Sequence, residues 1–177
     1  MNVDKVVAKA NRMLGLIKRI CRDFDDSKTL RTLYCALVRS NLEYFSLIWS
    51  PYTKKNVEKL EKVQRRATKF ILQTEDCYVS RLKKLNLLSM EKRRLLTDVS
   101  FFIYKAVYGL IDIDRERYVD FYKETDHHSS FRHNDELALK MRYGRTNILK
   151  YGYFHRFVGT WNSLPEYIRR AASVNSF

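Results

Sequence analysis

Three features of the sequence predict a mainly α fold, a bundle of about four main helices followed by a small irregular α/β appendage. The 177 residues include only five Gly and two Pro, too few turn formers for a sandwich or a barrel. Hydrophobic residues make up 45% of the chain and aromatic residues 14%, which excludes disorder of the whole chain. In the N-terminal part these apolar residues recur at three- and four-residue steps, the period of a helix with one buried face. Two parts are expected: 1–109 as a basic helical bundle, and 110–177 as a mixed subdomain packed on it. Charge supports the division. The net charge is +14, and residues 1–108 hold 23 basic and 11 acidic residues against 11 and 9 in residues 109–177.

The first helix is expected over 3–24, with Val3, Val6, Val7, Ala10, Leu14, Ile17, Ile20 and Phe24 on one face. Lys5, Lys9, Arg12 and Arg19 fall opposite. Asp25, Asp26 and Ser27 supply turn and N-cap chemistry for a second helix. That helix carries Leu30, Leu33, Tyr34, Leu37, Val38, Leu42 and Phe45 inward to about Trp49, where Ser50-Pro51 stops it. The third helix covers about 53–72, with an apolar stripe of Val57, Leu60, Val63, Ala67, Phe70 and Ile71. Opposite the stripe lie Lys55, Lys59, Lys62, Arg66 and Lys69, which at 100° per residue share a sector of about 80°. Like charges at this spacing repel one another, so helix stability does not favour the row. It reads as a phosphate-facing surface, against the plainer alternative of a solvated face, with only Glu58 and Glu61 to offset it on this helix.

Residues 78–88 read as a short helix and turn, with Leu82, Leu85 and Leu88 as plugs. Ser89 is the expected N-cap of a fourth long helix, 90–108, closed by Gly109. Lys92, Arg93 and Arg94 stand in its first turn, where the helix dipole favours carboxylates. They point either to a nearby anion or to salt bridges with Glu91 or Asp98. Beyond Gly109 the character is mixed, with an exposed His127–Ser130 loop and a short strand within Leu137–Tyr143. Gly144, Gly152 and Gly159 punctuate turns. Trp161-Asn162-Ser163-Leu164-Pro165 leads into a last helix ending near Ala171.

Catalytic chemistry is not legible. Neither GxxxxGK[ST] nor GxGxxG nor HExxH nor GxSxG occurs. His127, His128 and His133 read as solvated loop residues, so no metal and no cofactor are expected. Cys21, Cys35 and Cys77 form no CxxC and are odd in number, which reads as buried free thiols in a reducing compartment. No secretory h-region and no membrane-length apolar run is visible. The expectation is an intracellular chain, nuclear or cytoplasmic, without membrane contact. Phe24-Asp25-Asp26 superficially imitates the paired carboxylates of a polymerase, but it lies between helical segments and lacks the intervening residue, so a helix cap is the better reading.

Five segments, KANRMLGLIKR (9–19), LYCALVRSNLEYFSLIWSPY (33–52), LEKVQRRATKFIL (60–72), YVSRLKKLNLLSMEKRR (78–94) and WNSLP (161–165), carry a family resemblance. Together they resemble the C-terminal part of reverse transcriptases from non-LTR retrotransposons, especially jockey-like mobile elements, over nearly the whole chain. The resemblance implies a thumb and the tail beyond it. Such a piece lies past the palm that bears the metal-binding aspartates of the RNA-directed DNA polymerase, so it offers no catalytic residue and no polymerase activity of its own. It also implies nonspecific contact with RNA or DNA, in particular an RNA–DNA hybrid, and a palm-containing polymerase segment as a further partner. The residues matched to that role are Lys55, Lys59, Lys62, Arg66 and Lys69, with Lys5, Lys9 and Arg12. Tyr143, Tyr151, Tyr153, Phe154 and Phe157 are candidates either for stacking on single-stranded bases or for packing. The alternatives are a helical protein-interaction module that uses its basic face, and a non-functional element relic.

Overall fold

The computed structural model describes residues 3–44, 46, 49, 51–98, 102–112, 120–121, 137–141, 145–146 and 152–173. The fold is mainly α, with one two-stranded antiparallel sheet among the described residues. By contact the chain divides into the units Met1–Arg94 and Leu95–Phe177, whereas the charge distribution divides it near 109.

In the first unit, helix α1 (Val3–Ile20) buries Val6, Ala10, Leu14 and Ile17. It ends four residues before the expected Phe24, and Ile20 and Phe24 are exposed rather than inward. The cause is the next helix, α2 (Ser27–Leu33), whose N-cap Asp26 needs extended backbone. The Asp26 carboxylate accepts from the Lys28 N–H at 3.1 Å, the Thr29 N–H at 3.2 Å and the Thr29 hydroxyl at 2.5 Å. These bonds, the Thr29 hydroxyl first, favour the charged carboxylate and hold its pKa below the ordinary range. Asp25 accepts from the Gln73 amide at 3.3 Å, so both aspartates serve the fold.

From α2 the chain runs into a π-helix at Tyr34–Arg39 and then α3 (Ser40–Glu43). The sequence accounts for the wider turn. Leu30, Tyr34, Val38 and Leu42 are all nearly fully buried and stand four residues apart. In α geometry each four-residue step rotates a side chain by about 40°, so the set would wind off the core. A π turn takes more residues per revolution and keeps the four in line. Leu37, expected inward, is instead exposed. The helix stops at Glu43, short of the expected Trp49, because Tyr44 turns extended and its carbonyl accepts the Trp49 indole N–H at 2.6 Å.

Helix α4 (Lys54–Leu72) buries Leu60, Val63, Ala67 and Ile71, as the stripe requires. Its register fixes the topology. Lys59 meets Asp4 and Arg66 meets Asn11, both 55 residues apart, so α1 and α4 run parallel. Gln73 meets Asp25 and Tyr34 meets Gln64, separations of 48 and 30, so the α2–π segment runs antiparallel to α4. The result is an up–down–up bundle. Helix α5 (Tyr78–Lys84) closes with Asn86 in the left-handed region at φ 48°. The Asn86 N–H meets the Lys83 carbonyl at 3.0 Å and the Leu87 N–H meets that of Leu82 at 2.9 Å, a Schellman closure. This turn puts Leu87 inside and leaves the expected plug, Leu88, exposed.

Ser89 caps α6 (Met90–Asp98), its hydroxyl accepting from the Lys92 N–H at 3.3 Å. Two cations of the first turn, Arg93 and Arg94, have structural partners. Arg93 lies 3.6 Å from Glu43. Arg94, buried, donates to the Leu42 carbonyl at 2.5 Å and stacks 4.7 Å from the Trp49 ring.

In the second unit, helix α7 (Tyr104–Val107) ends at Gly109, φ 65°, with the Leu110 N–H on the Lys105 carbonyl at 2.8 Å. Strands β1 (Asp120–Phe121) and β2 (Leu139–Lys140) pair antiparallel. The turn expected at Gly159 is instead inside helix α8 (Tyr153–Ser163), and α9 (Glu166–Arg169) follows Pro165. Trp161 is fully buried and donates to the Leu137 carbonyl at 2.7 Å. The Asn162 amide pairs with both backbone groups of Leu139, accepting at 2.9 Å and donating at 2.8 Å. WNSLP is therefore a packing device: its Trp fills the core and its Asn holds β2. The cysteines are free, but Cys21 and Cys35 are half-buried and Cys77 is exposed, a correction to the expected burial.

Candidate nucleic-acid interface

The parallel α1–α4 pair presents two basic rows on its outer side. On α4, Lys55, Lys62, Arg66 and Lys69 are exposed and Lys59 is half-buried. On α1, Lys5, Lys9 and Arg12 are exposed. The seam between the helices is a ladder of side chains, at seven-residue steps on α1 and at steps of seven and four on α4: Asp4 with Lys59, Asn11 with Arg66 at 3.1 Å, and Lys18 over the Phe70 ring at 5.5 Å. Because the ladder occupies the sides of the helices that face each other, the α1 cations lie on one side of it and Lys55 and Lys62 on the other.

The geometry refines the sequence expectation. Of the five α4 cations, Lys59, Arg66 and Lys69 have internal partners, the last at 2.7 Å from Glu75. Lys55 and Lys62, with Lys5, Lys9 and Arg12, have none among the described residues. The two glutamates expected to offset the row do not touch it. Glu58 binds Arg65 at 2.8 Å, and Glu61 is buried on the opposite side. Most other acids of this unit are also engaged: Glu43 with Arg39 at 3.5 Å and with Arg93, and Asp76 with Lys84 at 2.6 Å. Much of the unpaired positive charge of this unit thus lies on α1 and α4.

Behind that face lies a buried polar network, built on Gln64 and Glu61, that the expected apolar stripe of α4 does not include. Gln64, fully buried, accepts from the Tyr34 hydroxyl at 2.8 Å. Its amide donates to the Tyr78 oxygen at 3.0 Å and to the Leu88 carbonyl at 2.8 Å. The Tyr78 hydroxyl donates to Glu61, whose other oxygen accepts the Met90 N–H at 3.0 Å. Burial pushes the Tyr34 phenol well above its ordinary value. Burial first, then the bond to Glu61, does the same for Tyr78. The network ties the π segment, α5 and the start of α6 to α4, fixing the helix that bears the basic row. One signal was available in advance: Gln64 stands four residues after Leu60 and three before Ala67, on the apolar side.

Phe157 is buried in the core of the second unit, which removes it as a stacking surface. Tyr143 and Tyr151 lie outside the described residues, as do His127, His128 and His133. No cluster of metal-ligating side chains and no helix long and apolar enough to cross a membrane occurs among the described residues. Comparison with family models, curated proteins and solved structures gave no match to this chain.

Proposed function

We propose that this chain is a thumb-like, nonspecific nucleic-acid backbone binder, the C-terminal part of a non-LTR retrotransposon reverse transcriptase that does not polymerise on its own. One observation carries the reading: Lys5, Lys9, Arg12, Lys55 and Lys62 share the outer face of two parallel helices and lack internal partners among the described residues. Cations held on a rigid helix pair, without neutralising acids, suit a regular array of phosphates. Asp26 caps α2 and Asp25 accepts from Gln73, which supports reading the pair as part of the fold.

The test is binding of an RNA–DNA hybrid across a salt series. Five phosphate contacts predict a log–log slope of about −4.5. Replacing Lys55 and Lys62 by Ala flattens it by about 1.8 units, and replacing Lys5, Lys9 and Arg12 by about 2.7 more. A slope that neither set alters refutes the assignment. Primer extension by the pure chain with Mg²⁺ and nucleotides is expected to be nil, and measurable extension overturns that part of the reading.

A further inference from the structure

The positive charge of the α1–α4 pair is uneven along its length. The contacts of Asp4 with Lys59 and of Asn11 with Arg66 fix one register, each α1 residue level with the α4 residue 55 positions later. In that register the stretches 3–12 and 54–67 lie in one half of the pair, and 13–26 and 68–76 in the other. The first half holds nine basic and three acidic residues, the second four basic and five acidic. All the cations assigned to the phosphate face stand in the first half.

The change of sign stands on the face itself. Lys55, Lys62 and Lys69 follow one another at seven-residue steps on α4, each of which turns a side chain by only about 20°, so the three form one line. Lys55 and Lys62 have no partner among the described residues, but Lys69 lies 2.7 Å from Glu75, in the turn after α4. An acid therefore occupies the line where a third phosphate would lie. On α1, Lys5, Arg12 and Arg19 form a matching line at the same steps. Arg19 is exposed like the other two, yet Asp23 follows it four positions on, and Asp25 reaches Gln73 at the end of α4. A hydrogen bond leaves a carboxylate its charge, so Asp25 and Asp26 add to the repulsion of phosphate at this end. Lys18, the cation of the seam here, is held over the Phe70 ring.

We infer that nucleic acid occupies only the first half of the face, from Lys55 to Arg12, and that Glu75 and Asp23 are the residues that set its limit. The inference rests on the phosphate-face reading and adds to it an extent and a boundary. Arg12, next to Asn11, lies level with Ala67, so the track covers α4 from Lys55 to Ala67, about 18 Å at 1.5 Å per residue. At about 3.4 Å per step along one strand, that length takes about five steps. Lys69 and Arg19 lie beyond it. A phosphate brought to either would meet an acid at close range, and that like charge opposes the contact the cation offers.

The test uses the full chain and the salt dependence of its binding to an RNA–DNA hybrid of about 16 base pairs, longer than the whole helix pair. Lys69→Ala and Arg19→Ala, each alone, should leave the slope of the parent unchanged, whereas Lys62→Ala flattens it by about 0.9 units. Glu75→Gln combined with Asp23→Asn should tighten binding and steepen the slope by up to about 1.8 units, as Lys69 and Arg19 join the face. In that background Lys69→Ala should flatten the slope by about 0.9 units. Glu91→Gln, which removes an exposed acid of α6, should leave the slope as it is. All of these side chains are exposed, so circular dichroism should show an unchanged fold. A flatter slope for Lys69→Ala or Arg19→Ala in the parent carries the track on past the acids and overturns the inference, while the phosphate face stands. An unchanged slope in the Glu75–Asp23 double variant, or an equal steepening by Glu91→Gln, overturns it as well. Absence of salt-dependent binding by the parent removes the phosphate face itself, and the inference with it.

Discussion

Tyr34→Phe isolates one bond in a place where nothing else can replace it. The Tyr34 hydroxyl and the Gln64 carbonyl oxygen face each other at 2.8 Å, and both residues are essentially without solvent contact. Removing the hydroxyl forfeits the bond and strands the Gln64 oxygen, for a loss of about 1–3 kcal/mol. Gln64→Leu strands the Tyr34 hydroxyl by the same amount and also breaks the bond to the Leu88 carbonyl. That carbonyl belongs to an exposed residue and can turn to water. Once Gln64 is Leu, the hydroxyl is only a liability, so adding Tyr34→Phe should cost nothing or restore stability. The double-mutant cycle is expected to show coupling of about 1–2 kcal/mol, with the double variant no less stable than Gln64→Leu alone. Urea unfolding followed by far-UV circular dichroism measures all four corners. Additivity within about 0.5 kcal/mol would mean that the two groups do not share a buried bond, and the account of α4 anchoring would fail.

Three further outcomes follow from local chemistry. Asp26→Ala should destabilise at neutral pH. Because the folded protein holds the Asp26 carboxyl below its ordinary 3.8, the gap between parent and variant should be full above that value and close as pH falls below it, which acid titration of the unfolding midpoint reads. Gln73→Gly should stabilise by about 0.5–1 kcal/mol, since Gln73 ends α4 with φ 46° and only its weak bond to Asp25 is lost; a drop in stability would show that bond to be the stronger effect. Asn162→Ala should cost about 2–3 kcal/mol by leaving both backbone groups of Leu139 without their partner, and hydrogen exchange of the Leu139 amide should accelerate with it.

The periodic parts of this fold were open to reading in the sequence, and the failures have definite causes. The stripe of α4 and the Asp26 and Ser89 caps depend on residue types a few positions apart, which local rules cover. The early end of α1 was missed because Ile20 and Phe24 continue its apolar period while standing exposed. The α2–π helix was extended six residues too far because the stop at Tyr44 is made with the Trp49 indole, a contact that apolar periodicity does not show. α8 was missed because its apolar residues alternate with basic and aromatic ones that mask the period. The candidate site was half legible. Steps of three and four put five cations on one side of α4, yet sequence cannot show that Asp4 and Asn11, some fifty residues earlier, come to lie beside two of them.

That juxtaposition yields the sharpest distinction between a working interface and a solvated face. Asp4 is the acid within the α1–α4 seam, and it holds Lys59 in an ion pair whose members are both partly exposed. Such a pair contributes at most about 1 kcal/mol to stability, so losing it should hardly affect folding. For phosphate binding the consequence is larger, because Asp4→Asn removes a repelling charge from the middle of the face and releases a sixth cation. If phosphates lie along the seam, the variant should bind the RNA–DNA hybrid more tightly and steepen the salt slope by up to about one unit. A merely solvated face predicts no change in either quantity. An unchanged slope alongside unchanged thermal stability would show that the row on α4 is surface charge and that the nucleic acid, if bound at all, is held elsewhere.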